Sequence, residues 1–495
     1  MDRPGRMRPA GLASLCPSDI TCTSGPGLTQ LRFTADVLGV MRRLGVSVLF
    51  GLLLCAATPV SGASPRTAGW SRPTTVAYGA DGVPETGFVQ SQNGRWTDLV
   101  TLRARVGLEL YPWLHGGSLG SPVHVPSSRG AEYVEEQIAL NFLGHYPGVA
   151  INNAGAVVLG WDEQGSSEKS GLGVDECFCA VRAIVRRADG RFGAASTLAP
   201  ASGPYSHLLG VEIGSGETAS VLWEDPTEEV HFAESTDAGR FLAPKPHVQL
   251  TYPALLNSVR ETPRIIEYGK GDASRMLYES EPPFLSQTPI GEVPRPSDAG
   301  TGTALVSDKQ GDELAISTEW EPDGTVQTAY RPAGGTFGPV RTIAHTIPPG
   351  VDPSCDLSAT MNEQGETLAA WTCEPVEDSA EGEFGQAALF NRKGGLEDLT
   401  GRHPATYELA PAVALDNSGR ALVAWGAPGE SGLVSLSGAQ GRFGRYQTIV
   451  REPVQLTTIS VEIAQGGTGL ATWKDFLPDG AERIMIDHLH LPGSP

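Results

Sequence analysis

A unit of three short apolar segments and a fourth aromatic one, divided by glycine-rich breaks, recurs along this chain and limits its folds more than any other feature. Residues 411–449 show it most clearly: PAVALDNSGRALVAWGAPGESGLVSLSGAQGRFGRYQTI. Runs of about four to eight residues between Asn-Ser-Gly, Pro-Gly-Glu-Ser-Gly and Gln-Gly read as strands in an antiparallel meander. The second segment ends on an aromatic residue six after a turn glycine: Gly155 to Trp161, Gly365 to Trp371, Gly419 to Trp425 and Gly467 to Trp473. Looser copies place Trp223, Tyr268 and Ser317 there, and residues 254–268 align although the turn glycine is lost. The fourth segment recurs too, as GRFGAASTL (190–198), GRFLAPKPHV (239–248), GTFGPVRTI (335–343) and GRFGRYQTI (441–449).

The stretch 76–102, VAYGADGVPETGFVQSQNGRWTDLVTL, tracks VAWGAPGESGLVSLSGAQGRFGRYQTI and makes Tyr78 an eighth marker of the second-strand position. From Trp161 onward the markers lie 45 to 62 residues apart, the spacing of four-stranded propeller blades. One such sheet cannot bury both of its faces alone, so neighbours must stack. The expectation is an all-β chain whose residues 64–495 form a single β-propeller of four-stranded antiparallel blades. Eight blades are expected, with seven as the alternative and a solenoid as the rival architecture. Tyr78, Trp161, Trp223, Tyr268, Trp371, Trp425 and Trp473 are expected in the core between blades, since a buried Trp removes ~150–250 Å² from water. Residues 104–147 read as a rim insertion, with helical spacing of apolar residues in AEYVEEQIALNFLGHY (131–146).

Residues 41–63, MRRLGVSVLFGLLLCAATPVSGA, have the form of an export signal: Arg42 and Arg43, an apolar run, then small residues at Ser61 and Ala63. The run is shorter than the ~20 residues a membrane-spanning helix needs. Residues 1–40 are read as an upstream extension that is not part of the native protein, with Met41 as the start. A secreted, extracellular product without a membrane span is expected. Removing the six Arg and three Asp of residues 1–63 from the whole-chain charge of −21 leaves −24. A surface this acidic repels a phosphate backbone, which argues against nucleic acid.

Beyond residue 63 stand four cysteines: Cys177, Cys179, Cys355 and Cys373. An even number in an exported chain suits disulfides. If Met361 faces Thr367 across the Asn362–Gly365 turn, antiparallel register carries Cys355 opposite Cys373. Directly paired residues sit ~4.5–5.5 Å apart at Cα, within disulfide reach. The partners of Cys177 and Cys179 stay open. No nucleophile elbow, metalloprotease helix, phosphate loop or dinucleotide fingerprint is present. Asp162, Glu163 and Glu168 in one blade, and Glu374, Glu377 and Asp378 in another, follow second strands; acidic loops of this kind bind calcium or are simply solvated. His488 and His490 share one face of a final strand, read as an exposed edge. No catalytic set and no cofactor is assigned, calcium aside.

The blade pattern resembles that of secreted bacterial β-propellers, both WD40-like and the sialidase-like group, whose turns read S-x-D-x-G-x-x-W. Asp416-Asn417-Ser418-Gly419 with Trp425 is the nearest match. It differs in placing Asp three residues before Gly and Trp six after it. The resemblance spans most of residues 70–490. It implies an extracellular scaffold that binds a protein or glycan, with a glycan-acting hydrolase or lyase at the channel mouth as the alternative. A sialidase activity further implies an arginine cluster and a Tyr–Glu pair, and neither maps onto this chain.

Overall fold

The computed structural model describes residues 70–490 apart from connecting segments within that span, of which 129–147, 165–178 and 293–302 are the longest. The upstream extension, the signal segment, the helical pattern at 131–146 and Cys177 lie outside the described residues. Ala68–Pro495 is one compact unit. Its described strands make eight antiparallel sheets, each a series of four strands, two of which carry an extra short strand. Blades 1 to 7 run from Glu85 to Leu119, Gly148 to Ala199, His207 to Pro246, Thr251 to Glu292, Thr303 to His345, Ser354 to Leu399 and Ala412 to Val450. Blade 8 comprises Ile459–Ala464, Thr468–Phe476 and Glu482–His490, completed by Thr74–Gly79.

The first strand of each blade touches the first strand of the next, and that of blade 8 touches that of blade 1. The series therefore returns on itself, which excludes an open solenoid: the fold is a β-propeller. Apolar residues alternate along the strands, so each sheet sends one set of side chains to the blade before it and the other to the blade after it. Val157, Leu159 and Trp161 pack with Val100, Leu102, Leu108 and Leu110 of blade 1. Val158, Val181 and Val185 on the opposite face pack with Val221 and Trp223 of blade 3. Trp371, Trp425 and Trp473 lie between blades in the same way. All five of these tryptophans are among the largest fully buried side chains. Tyr268 lies on Arg264–Tyr268, the second strand of blade 4.

Three sequence expectations are corrected by strand pairing. Tyr78 does not mark a second strand of the first blade. Thr74–Gly79 pairs with Glu482–His490, placing Tyr78 opposite Arg483 in the outermost strand of blade 8. The physical reason is edge satisfaction: blade 8 has only three strands of its own, and an open edge presents unpaired N–H and C=O groups. It follows that Gly107–Leu114 is the third strand of blade 1. The segment expected as a rim insertion from residue 104 is therefore propeller sheet at least through Val123–His124. His488 and His490 are likewise not on an edge, because their strand is paired on both sides.

In blade 6, Met361 pairs with Thr367 and Cys355 with Cys373, and the two sulfurs are bonded with a Cα–Cα distance of 4.1 Å. Cys179 opens the third strand of blade 2 opposite Gln164.

Candidate functional site

The turns joining strands 1 and 2 gather at one end of the propeller, and their shape follows from one residue type at their head. Asn152 accepts hydrogen bonds from the Ala154 and Ala156 N–H groups through Oδ1, both at 3.0 Å. Asn362 does the same with Gln364 and Glu366, and Asp416 with Ser418 and Arg420. Asp308 takes three N–H groups, from Gln310, Gly311 and Asp312. A short side chain that caps its own turn leaves the next two positions free to project outward. The glycine closing each turn has positive φ, for example +88° at Gly155 and +80° at Gly365.

Those projecting positions carry the polar groups that meet. Glu363 of blade 6 accepts from Asn153 Nδ2 of blade 2 at 2.7 Å and from Lys309 Nζ of blade 5 at 3.1 Å. Its own N–H donates to Asn417 Oδ1 of blade 7 at 3.0 Å. Residues 210 apart in sequence thus converge at this end. Beside them a groove of about 390 Å³ opens between blades 5 and 6, lined by Lys309, Gln310, Glu363, Gln364, Arg392 and Glu397 among others. The blade 1 turn adds Trp96, which stays 38% exposed. A Cβ on Gly155 would lie 2.7 Å from Trp96 Cε2, so the bare glycine is what lets the indole rest on the blade 2 turn. The Arg95 guanidinium sits 5.4 Å from the Trp96 ring centre, within cation–π range. Nearby, burial and the neighbouring Asp312 and Asp308 carboxylates push the Tyr330 hydroxyl up to about 12, and burial raises the Asp308 carboxyl.

The opposite end carries the acidic groups singled out from sequence, and the structure does not gather them. Asp162 is buried and accepts the Leu208 N–H of blade 3 at 3.1 Å. Glu163 is paired with Arg182 at 2.5 Å. Glu374 is exposed, while Glu168, Glu377 and Asp378 lie outside the described residues. Among the described residues no three His, Cys, Asp or Glu side chains come together in a metal-holding group, and no helix is long and apolar enough to cross a membrane. Sequence reading missed Asn153, Lys309, Glu363 and Asn417. Each sits one position after the capping Asn or Asp of its turn, a signal visible only once the turns are aligned.

No protein-family model matches this chain, and no curated protein matches it. Solved structures similar to it include the propeller domain of the Trilobed protease of Pyrococcus furiosus (9% identity, 55% of this chain and 80% of that one, TM-score 0.37). A Burkholderia pseudomallei lectin is similar at 11% identity over 75% of this chain and 100% of its own, with a TM-score of 0.42. The NanB sialidase of Streptococcus pneumoniae is similar at 7% identity over 80% and 83%, with a TM-score of 0.34. At this level of similarity none of them bears on what the chain does.

Proposed function

We propose that this chain is an exported binding scaffold that engages an extracellular protein or glycan at the turn end of its propeller. The observation that supports this reading is the convergence of Asn153, Lys309, Glu363 and Asn417 from four blades. Such a surface offers amide, ammonium and carboxylate groups held by rigid turns, beside an exposed indole and a groove. Rigid placement of a few polar groups around a concavity is what recognition of a polar ligand requires. Export would follow cleavage after Ala63, giving a mature chain that starts at Ser64.

The test is binding of the purified chain to a panel of glycans and peptides, read by calorimetry, with mass spectrometry to detect any turnover. Trp96→Ala and Lys309→Ala should each weaken binding at least tenfold. A ligand bound equally well by the parent and both variants would place recognition elsewhere. Turnover of a panel member would refute a purely binding role. N-terminal sequencing of secreted material that found a start upstream of Met41 would remove the export reading.

A further inference from the structure

The interfaces between blades are not equal. Between blades 1 and 2, 2 and 3, 5 and 6, 6 and 7, and 7 and 8, the described buried apolar residues number between ten and fifteen. Between blade 8 and blade 1 they number six: Phe88, Leu99, Tyr111, Ala464, Leu470 and Ile486. The five larger interfaces each hold the tryptophan of a second strand. In blade 1 the fifth residue of the second strand, where Trp161, Trp223, Trp371 and Trp425 stand in theirs, is Thr101.

Thr101 is fully buried, and its hydroxyl has no hydrogen-bond partner among the described residues. The strands around it add further polar groups. Ser460 Oγ accepts the Phe88 N–H across the interface at 3.1 Å, and the Tyr111 hydroxyl donates to Glu109 at 3.2 Å. Polar groups gain little from leaving water for a protein partner, whereas a buried indole gains in proportion to its area.

We infer that the ring opens first at the junction of blade 8 and blade 1, ahead of the other interfaces whose side chains are described. This junction is where the last blade of the series meets the first, Glu85–Gln90 of blade 1 lying against Ile459–Ala464 of blade 8.

Two amides report the difference in the unmutated chain. The Phe88 N–H is held across the 8–1 junction by Ser460, and the Leu208 N–H is held across the 2–3 interface by Asp162. Residue-resolved hydrogen exchange, corrected for intrinsic rates, should show Phe88 exchanging at least tenfold faster than Leu208. As a second reading, Thr101→Cys should react with a thiol reagent at least tenfold faster than Ala370→Cys, a fully buried site facing blade 7. Equal or slower exchange at Phe88 would overturn the inference even if neither cysteine variant folds. So would equal labelling in folded variants.

Discussion

Replacing Glu462 with Gln tests how the burial of one carboxyl sets the pH dependence of stability. Glu462 lies on Ile459–Ala464, the first strand of blade 8. Val461 and Ile463 pack toward blade 7, while Ser460 contacts Phe88 of blade 1; alternation therefore puts Glu462 on the blade 1 side. Burial pushes its carboxyl from 4.5 up to about 8, opposed only by a hydrogen bond from the Ile463 N–H. Among the residues whose side chains are described, the other titratable ones that strand position places on this junction are Glu109 and Tyr111 of blade 1, with Lys474 and His488 of blade 8.

The folded state thus holds a proton that the unfolded chain releases above about pH 4.5. Between that value and about 8, the unfolded chain binds fewer protons, so stability falls as pH rises, then levels off. At roughly 1.4 kcal/mol per unit the full shift would amount to about 5 kcal/mol. Partial exposure of the side chain lets water screen the charge, so about 2–3 kcal/mol is expected. Glu462→Gln removes this penalty. The variant should match the parent near pH 4.5 and exceed it increasingly up to about pH 8. For roughly 420 ordered residues, unfolding entropy near 2.1 cal/mol/K per residue turns that into a Tm gain of about 3 °C. Asp98, Asp308 and Asp487 are also raised by burial, but their contributions cancel in the difference between the two proteins. Calorimetry from pH 5 to 8.5 is the assay. A Tm difference that stays flat across that range refutes the reasoning.

Three other outcomes are expected. Gly155→Ala should cost about 1–3 kcal/mol through its positive φ and should lift Trp96 off the blade 2 turn; an unchanged Trp96 emission spectrum with unchanged stability would contradict this. Cys373→Ser opens a bridge between positions 18 apart, so denaturant unfolding should show a loss of about 3 kcal/mol, and reductant should no longer move the midpoint. Arg331 and Glu313 form a buried ion pair in blade 5, 2% and 0% exposed. Arg331→Met alone should cost about 3–5 kcal/mol, most of which Glu313→Leu should restore in the double variant; equal losses in single and double variants would show that the pair is not coupled.

The repeating unit was legible because its signals are local. Aliphatic segments between capped, glycine-closed turns specify four strands in series, and the tryptophan six residues after the turn glycine fixes which residues share a face. Thr74–Gly79 shows where local signals stop. Val-Ala-Tyr-Gly has the pattern of Val-Ala-Trp-Gly at 423–426, and nothing within it distinguishes a second strand of one blade from the fourth strand of another. The choice falls to an open edge more than 400 residues away in sequence.

Thr101 shows the same limit on a smaller scale. Counting six residues from Gly94 leads to Val100, but this turn spans 91–96 where its counterparts in blades 2, 5, 6 and 7 have five residues. One extra residue reverses which face a side chain takes. Val100 therefore faces blade 2, while Leu99 and its face-mates meet blade 8. The candidate site is further from local reach still. Asn153, Lys309, Glu363 and Asn417 each look like an ordinary solvated turn residue beside its own cap. Sequence determined the strands, their turns and the repeated tryptophans, because each depends on side chains a few residues apart. Tertiary structure alone decided which strand closes the ring, which junction is left without a second-strand tryptophan and which turns meet, because those depend on contacts that exist only once all the blades are in place.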